Sequence, residues 1–496
     1  MRQPGSSTAH WRWQVGEGRT GSDRVFGGAG HVHFVGIGGS GMSGIAELLV
    51  NLGYKVSGSD IQQTEVTERL ARLGVRVYAG HAAAHVADAD VVVRSSAVPL
   101  ANPEIVEARR RKVPVVPRAE MLAELMRLKS SVAVAGAHGK TTTTSMIAFA
   151  LEQAGLDPTA VIGGRLSGFG SNARLGRGRW MVAEADESDR SFLMLSPRLA
   201  VVTNIDYEHL DAYHGFDDLL EAFVEFANNV PAAGATVLCA DDRHVRSILP
   251  RLTGRVVTYG LEAGADLTGH DVVLDGLHSS CTVRRRLAEP REGRVADLGI
   301  GQLRLAVPGR HNLLNALAAI AVGEEVGVSF ETMARGLASF RGVDRRFQVL
   351  GEARGVTVVD DYGHHPTEIA AVVAAARAQR PARVLVAFQP HRYSRTWQQM
   401  DRFGPALAGA DAVVLTDIYP AGEAPVPGVT VDVLADAIRR TGPASVDVVP
   451  ALPDVPAHVA DMARPGDLVV MLGAGSIGAW GRRVLDALRA REAGND

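Results

Sequence analysis

The sequence predicts an α/β protein of three domains, and three observations carry that prediction. Its 496 residues suit roughly three domains of about 150 residues each. Short β-branched runs alternate along it with Ala- and Leu-rich stretches of helical length, the pattern of parallel-sheet units. At three places a glycine-rich turn stands between such a strand and such a helix: Gly36–Gly41, Gly136–Gly139 and Gly473–Gly478. No repeat at a fixed period of about 20–50 residues underlies the alternation.

Composition narrows the function classes. Hydrophobic residues are 46% and charged residues 22%, ordinary for a globular chain. The net charge of −3 supplies no basic field for nucleic acid or an anionic membrane. Cys239 and Cys281 have no paired spacing, which argues against a disulfide framework or a metal cluster and fits a reducing cytoplasm. No apolar run reaches the roughly 18 residues of a membrane span. Residues 1–27 are rich in Gly, Ser, Arg and Thr and lack the apolar stretch of a signal peptide. They are expected to form a disordered tail in which Trp11 and Trp13 are incidental.

The first domain opens on a strand at His31–Val35. Gly36-Ile37-Gly38-Gly39-Ser40-Gly41 follows and matches G-x-G-x-x-G. A helix from about Met42 to Leu52 and a second strand at Tyr54–Ser57 lead to Asp60. Strand, glycine turn, helix, strand and acid are the order of a dinucleotide-binding, Rossmann-like unit. The glycines let a diphosphate approach the helix N-terminus, and Asp60 is placed to accept from a ribose hydroxyl. The motif alone suggests NAD(P), any diphosphate nucleotide satisfies the same physics, and a turn that merely packs helix on strand is the plain alternative.

The second domain begins near Lys129. Strand Ser131–Ala135 runs into Gly136-Ala137-His138-Gly139-Lys140-Thr141-Thr142, and no lysine follows Lys140 in the chain. A glycine, then a lysine and a threonine before a helix to Gly155, read as a phosphate loop. Its N–H groups cradle phosphate, Lys140 reaches the β/γ-phosphates and Thr141 holds Mg²⁺. Val134 stands where a strict Walker A has its first glycine, so the loop is the shorter G-x-x-G-K-T. The strand Trp180–Ala183 ends in Glu184-Ala185-Asp186-Glu187-Ser188-Asp189. A carboxylate at a strand end beside a phosphate loop suits a Mg²⁺ ligand, but four clustered acids leave a solvated acidic turn open. After strand Leu199–Thr203, His209 suits either a metal or a helix cap. Cys281–Ile300, with Arg284, Arg285, Arg286 and Arg291, reads as an arginine-bearing hairpin, more a solvated face than a phosphate site. The third domain ends on strand Asp467–Leu472 and Gly473-Ala474-Gly475-Ser476-Ile477-Gly478. Too little chain follows for another βαβ unit, so that motif is expected to be a structural turn.

In order along the chain, His33–Gly44, Gly136–Thr144, Glu184–Asp189, Thr203–Gly215, Gly309–Asn312, Arg345–Gln348, Asp360–Glu368 and Gln389–Thr396 resemble the Mur ligases, ATP-dependent amide-forming enzymes of peptidoglycan synthesis. The resemblance runs from about residue 30 to the C-terminus. It implies a Rossmann-like UDP-binding domain at 28–128, a P-loop ATPase-type domain at 129–340 and a Rossmann-like amino-acid-binding domain at 341–496. It implies that Gly38, Gly39, Ser40, Gly41, Asp60, Ser95 and Ser96 hold UDP rather than NAD. ATP would lie on Gly136, Ala137, His138, Gly139, Lys140, Thr141, Thr142, Asn312, Arg346 and Asp361, with Lys140 on the γ-phosphate and Asn312 on adenine. Thr141 and Glu184 would bind one Mg²⁺, and His209 a second. His364, Arg392 and Arg395 would face the incoming amino acid and the reacting phosphate, with Lys140, His209 and Arg346 also catalytic. The nearest branch adds L-alanine to UDP-N-acetylmuramate through an acyl phosphate. Branches adding later residues carry a carbamylated lysine after the position of His209, and Asp211–Val230 has no lysine. Arg94 stands where a small or apolar residue is expected at the uridine pocket. The expected partners are UDP-N-acetylmuramate, L-alanine and ATP, without nucleic acid or membrane, for a cytoplasmic monomer or homodimer. Three rivals remain: a recycling ligase that attaches a preformed tripeptide, an NAD-dependent oxidoreductase, and a nucleotide-gated binding protein.

Overall fold

The computed structural model describes residues 30–95, 97–163, 172–209, 212–262, 264–288, 295–443 and 445–493. The expected tail at 1–27, Ser96 and Arg291 lie outside them, as does the side chain of Ser40. The chain divides into two compact units, 1–128 with 172–175, and 129–171 with 176–496.

In the first unit, strands β1 (His31–Val35), β2 (Lys55–Asp60), β3 (Arg76–Ala79), β4 (Val91–Arg94) and β5 (Val115–Pro117) form a sheet in the order β3-β2-β1-β4-β5. Every pairing is parallel. The sheet reverses its winding between β1 and β4, and the Gly36–Gly41 loop leaves β1 at that point. In open parallel sheets this crevice is where ligands bind. The helix after it spans Ser40–Asn51, and β2 runs through to Asp60, so both begin or end nearer the loop than the sequence pattern marks.

The second unit holds two sheets. The first is built from β6 (Ser130–Ala135), β7 (Thr159–Val161), β9 (Trp180–Glu184), β10 (Leu199–Val202), β11 (Ala235–Cys239), β12 (Val256–Gly260), β13 (Leu267–Asp275), β14 (His278–Ala288) and β15 (Val295–Leu305). The two-residue β8 (Ala173–Arg174) falls within the first unit. The order is β15-β14-β13-β12-β11-β10-β6-β9-β7. Pairing is parallel from β13 to β7, and β13, β14 and β15 form an antiparallel ribbon. That ribbon carries the arginine run, where Arg285 pairs with Glu324. Helix Lys140–Gln153 is buried on most of its faces, including Met146, Ile147, Ala150 and Leu151. A helix buried all round needs no amphipathic stripe, which is why Thr141-Thr142-Thr143-Thr144 survive inside it. Thr143 donates to Asn315 Oδ1 at 3.1 Å and Ser145 to the Thr141 carbonyl at 2.7 Å.

The second sheet comprises β16 (Gln348–Ala353), β17 (Val356–Asp361), β18 (Arg383–Phe388), β19 (Ala412–Leu415), β20 (Ser445–Val448) and β21 (Asp467–Leu472), in the order β16-β17-β21-β18-β19-β20. Only β16 is antiparallel. The third glycine motif follows β21, and the protein's own atoms fill it. A methyl group at Gly475 would come within 2.4 Å of Gln389 Oε1, and one at Gly478 within 2.4 Å of Arg345 Nε. It is a packing turn.

Candidate active site

In the first unit the glycine loop is braced from within. Gly38 N–H donates to Asp60 Oδ2 at 2.8 Å and Gln62 N–H to Oδ1 at 3.1 Å, so Asp60 holds the loop's shape with part of its acceptor capacity. Ser95 follows β4, and its N–H donates to the Val35 carbonyl at 3.2 Å, beside the same loop. Arg118, at the start of helix Arg118–Arg127, lies over Gly41, where an added methyl would meet its Nη1 at 3.0 Å. No spacing rule marks Arg118, because it arrives from the far side of β5. Below the loop, Glu104 is fully buried. It accepts from Ser59 Oγ at 2.5 Å, meets His85 Nδ1 at 2.6 Å and faces His33 Nε2 at 3.7 Å. Burial opposes its charge, but His33, Ser59 and His85 outweigh it and hold the carboxyl at about 2.

In the second unit, β6 delivers the phosphate loop to the N-terminus of helix Lys140–Gln153. Gly136 and Gly139 have φ of +129° and +80°. A methyl at Gly136 would strike Thr203 Oγ1 at 2.2 Å, and one at Gly139 would meet Asn315 Oδ1 at 2.8 Å. Both positions therefore require glycine on conformation and on space. The loop lies on the segment after β10. His138 N–H donates to Asn204 Oδ1 at 2.8 Å, and the His138 carbonyl accepts from Thr203 Oγ1 at 2.6 Å and Asn204 Nδ2 at 3.0 Å.

Tertiary structure sorts the four acids of the Glu184 cluster. Thr141 Oγ1 lies 3.1 Å from each Glu184 oxygen, and Glu184 Oε2 also accepts from Gly163 N–H at 2.7 Å. Glu187, which no sequence pattern singles out, pairs with Lys140 Nζ at 2.6 Å, and Lys140 also donates to the Gly136 carbonyl at 2.5 Å. Burial works against the charge on Lys140, but the Glu187 and Glu184 carboxylates outweigh it and raise its pKa. His209 has φ of +57°, and its Nε2 lies 4.0 Å from Glu187 Oε1 and 3.8 Å from Glu208 Oε2. A hydroxyl and a carboxylate side by side at a helix start fit a hard divalent cation such as Mg²⁺. His209 shares Glu187 with Lys140 rather than touching Glu184.

A cavity of about 500 Å³ adjoins the loop. His138, Gly139, Thr142, Asn312, Arg346 and Asp361 all contribute to its wall, so residues widely separated in sequence share one pocket. Asn312 is held by its own bonds, donating to the Pro308 carbonyl at 2.7 Å and accepting from Asn315 Nδ2 at 3.2 Å. Asp361 accepts Phe347 N–H and Gly363 N–H, both at 2.7 Å, and burial pushes its carboxyl up to about 6 against Arg346. His364 Nδ1 lies 3.4 Å from Glu368 Oε2, and burial lowers its pKa although Glu368 opposes. Arg395 reaches Glu208 at 3.7 Å. Arg392 instead lies against Glu423, 3.9 Å away. Among the described residues, His138, Glu208 and His365 bring ligand-type atoms within 4.8 Å of one another.

Three sequence models cover this chain in succession. The Mur ligase family catalytic domain matches residues 31–130, the Mur ligase middle domain 134–323, and the Mur ligase glutamate ligase domain 345–475. The chain is 53% identical over 467 residues to the UDP-N-acetylmuramate--L-alanine ligase of Geobacter sp. (strain M21), covering 94% of this chain and 99% of that one. It is 54% identical over 459 residues to the protein of the same name from Anaeromyxobacter sp. (strain Fw109-5), covering 92% and 98%. Among solved structures it is similar to the UDP-N-acetylmuramate-alanine ligase MurC of Thermotoga maritima, with a TM-score of 0.77, 30% identity and coverage of 94% and 100%. It is also similar to a murein peptide ligase of Psychrobacter arcticus 273-4, with a TM-score of 0.66, 25% identity and coverage of 92% and 98%.

Proposed function

The chain belongs to the Mur ligase family, and from that premise we propose that it joins L-alanine to the lactyl carboxylate of UDP-N-acetylmuramate at the expense of ATP, in peptidoglycan synthesis. The observation that carries this reading is identity above 50% over more than 90% of both chains to proteins named for that reaction. A carboxylate at neutral pH is a poor acyl donor. Phosphorylation by the γ-phosphate of ATP gives an acyl phosphate and ADP, the alanine amine attacks the acyl carbon, and phosphate leaves.

The residues take the following parts. The domain 28–128 binds the UDP moiety through Gly38, Gly39, Ser40, Gly41, Asp60, Ser95 and Ser96. The domain 129–340 binds ATP, with the loop N–H groups cradling phosphate, Lys140 on the γ-phosphate and Asn312 toward adenine. Arg346 and Asp361 close the ATP site from 341–496. Thr141 and Glu184 would hold one Mg²⁺, and His209 would help hold a second. Bound Mg²⁺ supplies charge stabilisation of the transferring phosphoryl group. Arg395 and Arg392 face the amino acid and the reacting phosphate. His364, whose pKa burial lowers, accepts the proton that the alanine ammonium must lose before it can attack. The enzyme works in the cytoplasm as a monomer or homodimer.

The test is phosphate release from ATP and Mg²⁺ with UDP-N-acetylmuramate and a panel of amines. Release that requires both the nucleotide sugar and L-alanine, with UDP-muramoyl-alanine identified by mass, is the expected result. Release with a preformed tripeptide alone would move the chain to peptide recycling, and silence with every amine would overturn the ligase reading. Chelation should abolish release, and excess Mg²⁺ should restore it.

A further inference from the structure

Glu368 has no part in the scheme above, yet it stands at the contact between the phosphate loop and the third domain. It is the fourth residue of the stretch His365-Pro366-Thr367-Glu368 that opens helix Pro366–Ala378. One of its oxygens, Oε2, serves its own domain by accepting His364 N–H at 3.0 Å and His365 N–H at 3.3 Å. Such a capping arrangement fixes the entry of the chain into the helix. The other oxygen, Oε1, faces outward, 3.5 Å from His138 Nδ1 and 3.6 Å from Arg346 Nη1.

His138 is the matching half. Its backbone is pinned by Thr203 and Asn204, and its side chain is largely buried, at 12% exposure. Its Nε2 lies 3.1 Å from Asp206 Oδ2, which also accepts from Thr367 Oγ1 at 2.6 Å. Its ring packs on His365 with centroids 4.9 Å apart. Both ring nitrogens therefore face carboxylates, one from each domain: Nε2 within hydrogen-bond reach of Asp206 and Nδ1 at ion-pair distance from Glu368. Burial opposes that charge, but Asp206, Glu368 and Glu208 outweigh it and raise the pKa to about 10. The loop needs only its backbone N–H groups to cradle phosphate, so the ring is free for a second task.

We propose that His138 and Glu368 are a positioning pair, a charged clasp that draws the start of helix Pro366–Ala378 onto the phosphate loop and so places Arg346 and His364 at the reacting centre. The clasp gives the loop a direct hold on the amine-binding side. Engaged, it also keeps water from the acyl phosphate. This inference rests on the ligase reading, and the parent enzyme's dependence on L-alanine tests that reading separately.

The experiment compares the full chain with His138→Gln, Glu368→Gln and the double variant. Glu368→Gln retains a capping side chain. Each single change should lower kcat/KM for L-alanine on the order of 10- to 100-fold, as expected for a lost charge-assisted contact. In Glu368→Gln equilibrium ATP binding should move by less than about threefold, because the N–H cradle remains, and in His138→Gln it should fall by less than turnover does. The double variant should be no more than about threefold worse than the worse single variant, the signature of one shared interaction. ATP consumed per amide formed should rise above one in His138→Gln. If the two losses multiply, or if His138→Gln weakens ATP binding as much as it lowers turnover, the pair does not exist and His138 merely shapes the loop. Should His138→Gln fail to fold, His138→Asn, read by the same criteria, decides the question. If the parent releases phosphate with no amine, the ligase reading itself has failed.

Discussion

Lys140 shows how one side chain can be readable in kind but not in setting. A glycine before it and a threonine after it mark a phosphate loop, yet only the folded chain reveals Glu187 as its 2.6 Å partner. That partner holds the ammonium charged and aimed across the mouth of the loop. Removing an electrostatic contact to a transferring phosphoryl group typically costs on the order of 10²–10³ in rate. Lys140→Ala should lose at least that much turnover while circular dichroism and cooperative melting persist, and near-normal turnover in the folded variant would sink the assignment. Glu104 makes a second prediction, about pH. Its carboxyl is held at about 2 against a usual 4.5, so the native state prefers it ionised. A depressed carboxyl contributes stability that is complete above the unfolded value and is lost as pH falls through about 4.5 toward 2. At about 1.4 kcal/mol per pKa unit, the contribution is on the order of 3 kcal/mol. Glu104→Gln should flatten the acid limb of the stability curve of the first unit, followed by pH-dependent urea unfolding. An unchanged limb would show that the histidines around Glu104 carry no such coupling.

At the scale of the element, the short helix Tyr393–Gln398 is held at its start by a residue distant in sequence. Its preceding residue, Arg392, has φ of +69°, in the region that L side chains rarely adopt. Glu423 holds the turn from outside, accepting Ser394 N–H at 3.0 Å and Ser394 Oγ at 2.6 Å and lying 3.9 Å from Arg392. Arg392 N–H also donates to the Tyr419 carbonyl at 2.8 Å, and His391 stacks on Tyr419. An orphaned helix N–H that loses its acceptor typically costs about 1 kcal/mol. Glu423→Ala should therefore raise KM for L-alanine roughly tenfold through misplaced arginines, with ATP KM little changed. A rise confined to ATP KM would contradict this. Glu423 lies 29 residues after Ser394, whose N–H it accepts, so no local capping pattern could have announced it. Local signals served better where the partners are adjacent in sequence. The glycine turns, the strand before each and the helix after each were all legible; the strand after the first loop ran on to Asp60, and the one expected to end at Thr203 ended at Val202.

At the scale of the whole molecule, the proposed site draws Arg346, His364 and Arg395 from the third domain and its phosphate loop from the second. Such an arrangement shields an acyl phosphate from water only when the domains are in contact. The connections near Leu128-Lys129 and Phe340-Arg341-Gly342 are the expected hinges, and Gly342, at φ of +96°, holds a conformation that favours glycine. Solution scattering should show the radius of gyration falling when a non-hydrolysable ATP analogue and UDP-N-acetylmuramate are both present. No compaction with both ligands would argue against closure.

What the sequence determined by itself was the fold class, the two glycine loops between strand and helix and, through its ordered motifs, the family. Each depends on near neighbours: a strand's apolar run, a glycine's freedom, a lysine next to a helix start. Spacing could not choose among Glu184, Asp186, Glu187 and Asp189, nor show the contacts that Arg118, Glu208, Glu368 and Glu423 make. Those choices depend on which side chains meet across sheets and domains. Burial and the charge of distant partners decide them, and only the tertiary structure brings the partners together.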